Sequence, residues 1–572
     1  MMKKWKVEEA GDALVVERLR KEINVSEIVA RLLIQRGVST YEEAKQFFRP
    51  AFSDLHDPFL MKDMERAAAR IKEALEKQEK ILVYGDYDVD GTTAVALMSS
   101  FLSSLDLDVE IYIPDRYSEG YGISLQGIDF ARANECHLMI ALDCGIRAID
   151  QIDYASSQGI DCMICDHHLP GDSLPKAQAI LDPNRSDCTY PFKGLSGCGV
   201  GYKLAQAVCR VLDIDDSLLH RYLDLLTVSI GADIVPIQDE NRVFAHFGLK
   251  KLKADPSPGV RALFASAEFQ KQEVSISDVV FILAPRINAA GRMASGKKAV
   301  ELMISTSEED LINFAKSVEQ DNSDRKEQDM RITQEALQMI QESPDNQNAW
   351  STVLYDKNWH KGVVGIVASR LIEKYYRPTI IFAEQDGILT GSARSIHGFD
   401  LHQALEECNG KLIKYGGHAM AAGMSLRVED FDEFKQEFDQ VVRKHLQPDD
   451  LIPTQRIHSS LGLDQINDRM LSVLKQFGPF GPGNPKPVFQ ASNIVDAGGS
   501  RTIGKEHEHL KLWVRQEEPL SIAMGGVGFG LGEYYPEISS GKPFKMAYSI
   551  DENEWRGKVQ TQLNIRDIIL EK

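Results

Sequence analysis

Ile81-Leu82-Val83-Tyr84-Gly85-Asp86-Tyr87-Asp88-Val89-Asp90-Gly91-Thr92-Thr93 joins a short apolar run to an acidic turn and the first residues of a helix. Such a run, closed by glycine, reads as a buried strand. The pattern then recurs. Residues 109–113 end in Pro114-Asp115-Arg116, 139–142 in Asp143-Cys144-Gly145, 162–165 in Asp166-His167-His168, and 227–230 in Gly231-Ala232-Asp233. Short apolar strands alternating with helical stretches predict an α/β fold, a parallel sheet covered on both faces. Ligands bind where the carboxyl ends of such strands share an edge. Five strand ends are therefore expected to bring acids and imidazoles to one place.

Outward from this core, residues 28–33 and 41–48 are amphipathic, and 64–77 carry Ala68, Ile71 and Leu75 on one helical face. Residues 307–342 have helical spacing, but 319–329 are almost wholly polar, which predicts a solvated linker helix closed by Pro344. A second α/β unit follows: strand 353–355, helix 363–375, strand 379–382, a turn at Gly391-Ser392-Ala393-Arg394-Ser395, then Gly416-Gly417-His418 and an acidic helix over 429–446. Pro453 marks a further boundary, and alternation over 490–572, as in His509-Leu510-Lys511-Leu512-Trp513-Val514, predicts a small β-barrel. The expected divisions are an N-terminal helical segment 1–60, a catalytic domain 61–306, the linker helix 307–344, a smaller domain 345–450 and the barrel 451–572.

The 572 residues are 43% hydrophobic and 26% charged, which excludes a largely disordered or fibrous chain. No apolar run suits a membrane span, and the first residues lack the apolar core of an export signal, so a cytoplasmic protein is expected. Eight cysteines do not make a disulfide framework, and Cys162 and Cys165 sit in an apolar run that reads as a buried strand rather than a metal knuckle. A net charge of −20 argues, taken alone, against nucleic-acid binding. Residues 451–572 nevertheless carry as many basic as acidic side chains, so local clusters must decide.

Asp86, Asp88 and Asp90 alternate ahead of the helix. One aspartate there is an ordinary N-cap, whereas three repel one another unless a cation holds them. An EF-hand loop spaces acids similarly but ends in Glu, where Leu97 stands here. With His167 and His168 on the same sheet edge, this donor set suits Mn2+ or Mg2+ better than tetrahedral zinc. Two ions bridged by a carboxylate fit so many acids, and such a pair activates water in phosphoester cleavage. Phosphate partners are offered by Arg116, by Arg286 and Arg292 in Pro285-Arg286-Ile287-Asn288-Ala289-Ala290-Gly291-Arg292, and by Arg370 and Arg394. Gly391–Arg394 and Gly416-Gly417-His418 add small residues that let backbone approach an anion.

These residues resemble the DHH phosphoesterase family, named for the triplet seen here as Asp166-His167-His168, and within it the exonucleases specific for single-stranded DNA. The likeness runs in family order through 85–93, Asp143-Cys144-Gly145, Asp166-His167-His168, Gly231-Ala232-Asp233, 285–292, 359–370, 391–394 and Gly416-Gly417-His418, then Phe477-Gly478-Pro479-Phe480-Gly481-Pro482-Gly483-Asn484-Pro485 and His509-Leu510-Lys511. It implies a parallel-sheet DHH catalytic domain, a long linker helix, a smaller α/β DHHA1 domain that grips phosphate, and a C-terminal OB-like barrel. The implied activity is hydrolysis of single-stranded DNA, dependent on Mn2+ or Mg2+, from 5′ to 3′, releasing 5′-mononucleotides in DNA repair and recombination. By position, Asp88, Asp90, Asp143, His167 and Asp233 become metal ligands, with Asp86 and His168 adjacent. Catalysis would rest on Asp143, His167, His168, Arg286 and His418. Phosphates would be held by Arg286, Arg370, Ser392, Arg394 and His418, with Arg116 nearby. Many relatives have His where this chain has Tyr84, so one ion would bind more weakly or borrow Asp86.

The resemblance also implies a monomer working beside a single-stranded-DNA-binding protein and a helicase. Trp513, Phe480 and Trp555 are candidates for stacking on bases, and salt-sensitive DNA binding is expected despite the acidic balance. Two other readings compete with this one. A phosphodiesterase for short oligonucleotides, cyclic dinucleotides or pyrophosphate would resemble only the first two domains. A non-catalytic single-strand-binding scaffold would have lost acids that this chain keeps from Asp86 to Asp233.

Overall fold

The computed structural model describes residues 3–570 other than 117, 294–295, 520 and 556–557, and no side chains at 290–293, 554–555 and 558–559. Arg292 and Trp555, both singled out in the sequence, lie outside the described side chains. The chain divides into two compact units, Glu8–Asn322 with His458–Lys572, and Met1–Val7 with Ser323–Ile457.

The first unit is built on a five-stranded, all-parallel sheet in the order Val109–Tyr112, Ile81–Gly85, Leu138–Leu142, Asp161–Cys165, Ala179–Leu181. Its central strands are apolar along their whole length because both faces are covered. Ile81, Val83, Leu138 and Ile140 join one core with the helices Met64–Lys77, Val89–Ser103 and Gly197–Val211. Leu82, Tyr84, Met139 and Ala141 join another with Leu125–Ala133 and Ile149–Ser157. Gly85, Leu142, Cys165 and Leu181 pair in one row across the sheet, so Asp86, Asp143, Asp166 and Asp182 form the next.

The fifth expected strand is a helix. Leu223–Ala232 is buried nearly all round among other helices, and a short continuous apolar run does not distinguish a buried helix from a strand. Asp233 caps its C-terminal end and still faces the other acids. The C-terminal barrel closes when Phe489–Asp496 pairs with both Phe544–Trp555 and His509–Gln516. The N-terminal helices are not a separate body: Leu19, Leu32 and Leu33 share one core with Phe477, Phe489 and Phe544 of the barrel.

In the second unit a mixed sheet runs Leu412–His418, Ala421–Arg427, Ile388–Arg394, Thr379–Gln385, Thr352–Asp356. The expected turn at 391–395 is strand as far as Arg394. Gly391 is needed there because a Cβ would stand 2.4 Å from the Phe382 ring on the neighbouring strand. The helix Glu308–Glu342 runs through the boundary between units, and Pro344 opens a further short helix, Pro344–Asn348. Its polar middle is not simply solvated. Asn322, Arg325 and Asp329 are buried and continue the spacing of Ala315 and Val318 before them and Ile332, Ala336 and Ile340 after them.

Candidate metal centre

The acidic turn closes on its glycines. A Cβ at Gly91 would lie 2.4 Å from the Asp86 carbonyl oxygen, and one at Gly85 would lie 2.4 Å from Val95 Cγ2. Asp88 caps the helix, accepting from the Gly91 N–H at 3.0 Å. Asp143 turns the chain at φ +60°, with its N–H donated to the Cys165 carbonyl at 2.8 Å.

His167 Nε2 lies 3.1 Å from Asp143 Oδ1, 3.6 Å from Asp233 Oδ2 and 3.7 Å from Asp90 Oδ2. Two donor sets converge here, Asp143–His167–His168 and Asp90–His167–Asp233. Asp86 Oδ1, Asp143 Oδ1 and His167 Nε2 are buried without a hydrogen-bond partner. Buried polar atoms are nearly always satisfied, and carboxylate and imidazole atoms aimed at one another fit a divalent cation. Burial, reinforced by neighbouring carboxylates, pushes the Asp86, Asp88 and Asp143 carboxyls up and brings Asp233 to about 8. A cation reverses that penalty.

Not every acid in the cluster is equally available. Asp90 Oδ2 accepts from Gly197 N at 2.7 Å, and Oδ1 from Cys198 N at 2.8 Å and Ser229 Oγ at 2.7 Å. It ties the Gly197–Val211 helix to the site and keeps only residual lone pairs for an ion. Asp166 likewise organises its loop, accepting from the His167, His168 and Ile146 N–H groups and from His168 Nδ1 at 2.7 Å. Burial works against a charged His168 ring, yet the Asp166 carboxylate outweighs it and raises the ring to about 9. Tyr84 takes no part: its hydroxyl donates to the Gly122 carbonyl at 2.8 Å and accepts from Ser124 N at 3.1 Å.

The cationic groups stand as follows. Arg116 lies over the Tyr87 ring at 5.1 Å and close enough to lower the Asp86 carboxyl. Arg286 is buried, with Nε 2.5 Å from Glu319 Oε2. Arg370, Ser392, Arg394 and His418 belong to the second unit. Strand register puts Arg394 opposite Ala421 and Ala421 opposite His418, while Arg394 Nη1 donates to Ser392 Oγ at 3.0 Å. Gly365, in the first turn of the Val364–Tyr375 helix, lets that turn approach, since a Cβ would be 2.9 Å from Ser392 Oγ and 3.0 Å from Arg394 Nη2. A helix start beside serine and arginine is an anion-binding arrangement. Arg370 lies farther along this helix, 2.7 Å from the buried carboxylate of Asp329.

Several participants escape a reading of the sequence. Asp182 ends the three-residue Ala179–Leu181 strand, has one buried oxygen without a partner, and is raised by burial to about 7. The strand-end rule finds it once that short strand is recognised. Asn184 Nδ2 holds the His167 carbonyl at 2.6 Å. The Tyr121 hydroxyl lies 3.2 Å from His168 Nε2, and Glu119 fixes its loop by accepting from Tyr112 Oη, Ser124 Oγ and Asp115 N. Both sit in a turn whose sequence carries no periodic signal. Of the stacking candidates, Trp513 is exposed, whereas Phe480 packs against the barrel core. All eight cysteines are free and buried.

Three family models match the chain: the DHH family N-terminal domain over residues 80–230, the DHHA1 domain over 347–444 and the RecJ OB domain over 457–567. The single-stranded-DNA-specific exonuclease RecJ of Bacillus subtilis is 37% identical over 99% of this chain and 70% of its own length. That of Dickeya dadantii is 34% identical over 95% of this chain and 96% of its own. The crystal structure of RecJ from Thermus thermophilus in complex with Mn2+ superimposes with a TM-score of 0.84 at 25% identity, covering 100% of this chain and 80% of that one.

Proposed function

Because the chain belongs to the RecJ family of DHH phosphoesterases, we propose that it cuts single-stranded DNA from the 5′ end, releasing 5′-mononucleotides. The observation that carries this reading is the buried, unpartnered pair Asp143 Oδ1 and His167 Nε2 at 3.1 Å, with Asp90 and Asp233 within 3.7 Å of the same nitrogen. Asp143, His167 and Asp233 would hold Mn2+ or Mg2+, with Asp88 and Asp86 beside them and Asp90 chiefly bracing the helix behind. A bound ion supplies Lewis acidity toward phosphate and a water acidified enough to attack at neutral pH. His168, kept charged at neutral pH by Asp166, would donate to a phosphate oxygen. Arg116 and Arg286 offer guanidinium donors in the same unit, and Ser392, Arg394, His418 and Arg370 a phosphate grip in the other.

The barrel adds a reason to favour a polymeric substrate over a dinucleotide. His509, Lys511, Trp513 and Arg515 point outward from one strand while Leu510, Leu512 and Val514 point inward. Among the described residues no helix is long and apolar enough to cross a membrane. A cytoplasmic monomer working with a single-stranded-DNA-binding protein and a helicase completes the reading. The test is Asp143→Ala on 5′-labelled and 3′-labelled strands with Mn2+, Mg2+ or EDTA. Wild-type protein is expected to release label first from the 5′ end and only with metal, and the variant to release none. Cleavage that survives EDTA, or undiminished cleavage by the variant, would overturn the proposal.

A further inference from the structure

The ligand Asp233 is followed by a backbone that its own residues do not explain. Ile234 stands at φ +60°, a region that β-branched residues avoid, and its side chain is 64% exposed, so packing of that side chain does not hold it there. Such a conformation persists only where the surroundings over-determine it. Three anchors do so just downstream. Asn241 Nδ2 donates to the Pro236 carbonyl at 3.0 Å, the Ile237 N–H donates to the Pro482 carbonyl at 2.7 Å, and Gln238 Nε2 donates to the Gly483 carbonyl at 3.1 Å. Two of the three come from the segment 477–485.

That segment is itself braced. Gly481 and Asn484 exchange backbone hydrogen bonds of 3.0 and 3.1 Å. Asn484 Nδ2 donates to the Phe477 and Pro479 carbonyls at 2.7 and 2.8 Å, and Arg36 Nε donates to Asn484 Oδ1 at 2.7 Å. Buried Arg242, on the helix that begins directly after the anchored turn, donates to the Gln476, Phe477 and Gly478 carbonyls. Gly481 permits the contact: a Cβ there would stand 2.6 Å from Ile237 Cγ1.

We propose that the 477–485 segment is a positioning element for the metal ligand Asp233, so that the C-terminal part of the chain sets metal affinity in addition to any contact with DNA. The inference rests on Asp233 being a ligand, as in the function proposed above. Partners that orient a ligand typically alter metal affinity by about 10- to 100-fold when removed. The test uses the full chain and reads Mn2+ binding directly, by electron paramagnetic resonance without DNA. Gly481→Ala is expected to weaken Mn2+ binding about tenfold with KM for single-stranded DNA unchanged at saturating Mn2+. Ile237→Ala in the same chain makes room for the new methyl group and is expected to restore most of the affinity. Unchanged Mn2+ affinity with a raised KM, or with only a lowered melting temperature, would overturn the proposal. If Gly481→Ala does not fold, Gln238→Ala removes one anchor at the surface, and unchanged Mn2+ affinity there overturns it equally. Wild-type protein that binds Mn2+ without cutting DNA would defeat the exonuclease reading and leave this one intact.

Discussion

Asp143 shows how tightly single residues constrain the centre. Its left-handed backbone brings it against bare Gly197, where a Cβ would lie 2.5 Å from Asp143 Cβ and 2.7 Å from its Cα. Neither neighbour is a flexible side-chain end. Gly197→Ala is therefore expected to cost about 1–3 kcal/mol of stability and about 10- to 100-fold in Mn2+ affinity, measured by urea denaturation and metal titration. A neutral result would mean the turn yields. The carboxyls also fix a pH dependence. Asp233 at about 8 and Asp182 at about 7 titrate far above the unfolded value. Folded protein without metal thus holds protons that the unfolded chain releases, so its stability falls as pH rises from about 4 to 8. His168, raised to about 9, acts in the same direction, since its contribution is complete below about 6.5 and disappears as pH rises through 9. Metal must displace the carboxyl protons, so Mn2+ affinity is expected to increase from pH 6 to pH 8 in calorimetric titrations. Affinity flat over that range would refute the assignment. The acids can be read from sequence because carboxylates after apolar strands are a local pattern. Tyr121 and Glu119 cannot, because only the folded turn brings them to His168 and Ser124.

At the scale of elements, sequence specifies most where pattern and burial agree. The helix Met64–Lys77 lies where periodicity places it, and the strands near 81, 139 and 162 lie where short apolar runs closed by turn residues place them. Residues 227–230, inside the helix Leu223–Ala232, read as a strand because full burial removes the periodic signal, and Ile388–Arg394 ends in an apparent turn because its glycine answers a neighbouring ring instead. The long helix departs from its sequence reading for a different reason: composition reports polarity, but the ion pair that lets a polar side chain be buried comes from a distant residue. Asp329, fully buried, meets Arg370 at 2.7 Å. Asp329→Asn leaves the half-exposed guanidinium without its counter-charge, and a loss of about 1–3 kcal/mol is expected, together with weaker retention of 5′-phosphorylated strands as Arg370 loses its fixed position. Chemical denaturation and filter binding check the two effects. Arg370→Lys keeps the charge but not the planar fork, and should keep more stability than binding.

Over the whole molecule, the net charge of −20 has to be reconciled with a polyanionic substrate. The resolution lies in where the charge sits. Much of the acid belongs to the metal cluster and the first 450 residues, while the strand His509–Gln516 turns Lys511, Trp513 and Arg515 outward and places Lys511 opposite Arg501. Gly525 pairs opposite Trp513 and leaves the ring open, and Phe529 is exposed beside His509, with rings 5.3 Å apart. Cations flanking aromatics on a barrel face suit a single strand, whose phosphates release counterions as its bases stack. If Arg501, Lys511 and Arg515 each neutralise one phosphate, raising salt from about 50 to 200 mM should weaken binding roughly 20-fold, at about 0.7 counterions per contact. Lys511→Ala should lower the log–log slope by about 0.7. Trp513→Ala should cost about 1–3 kcal/mol of binding to long strands with no change in slope, because stacking releases no counterion. Fluorescence anisotropy against salt separates the two contributions. A slope that stays the same in Lys511→Ala, or that falls in Trp513→Ala, would move the strand to another face and leave the acidic balance of this chain unexplained.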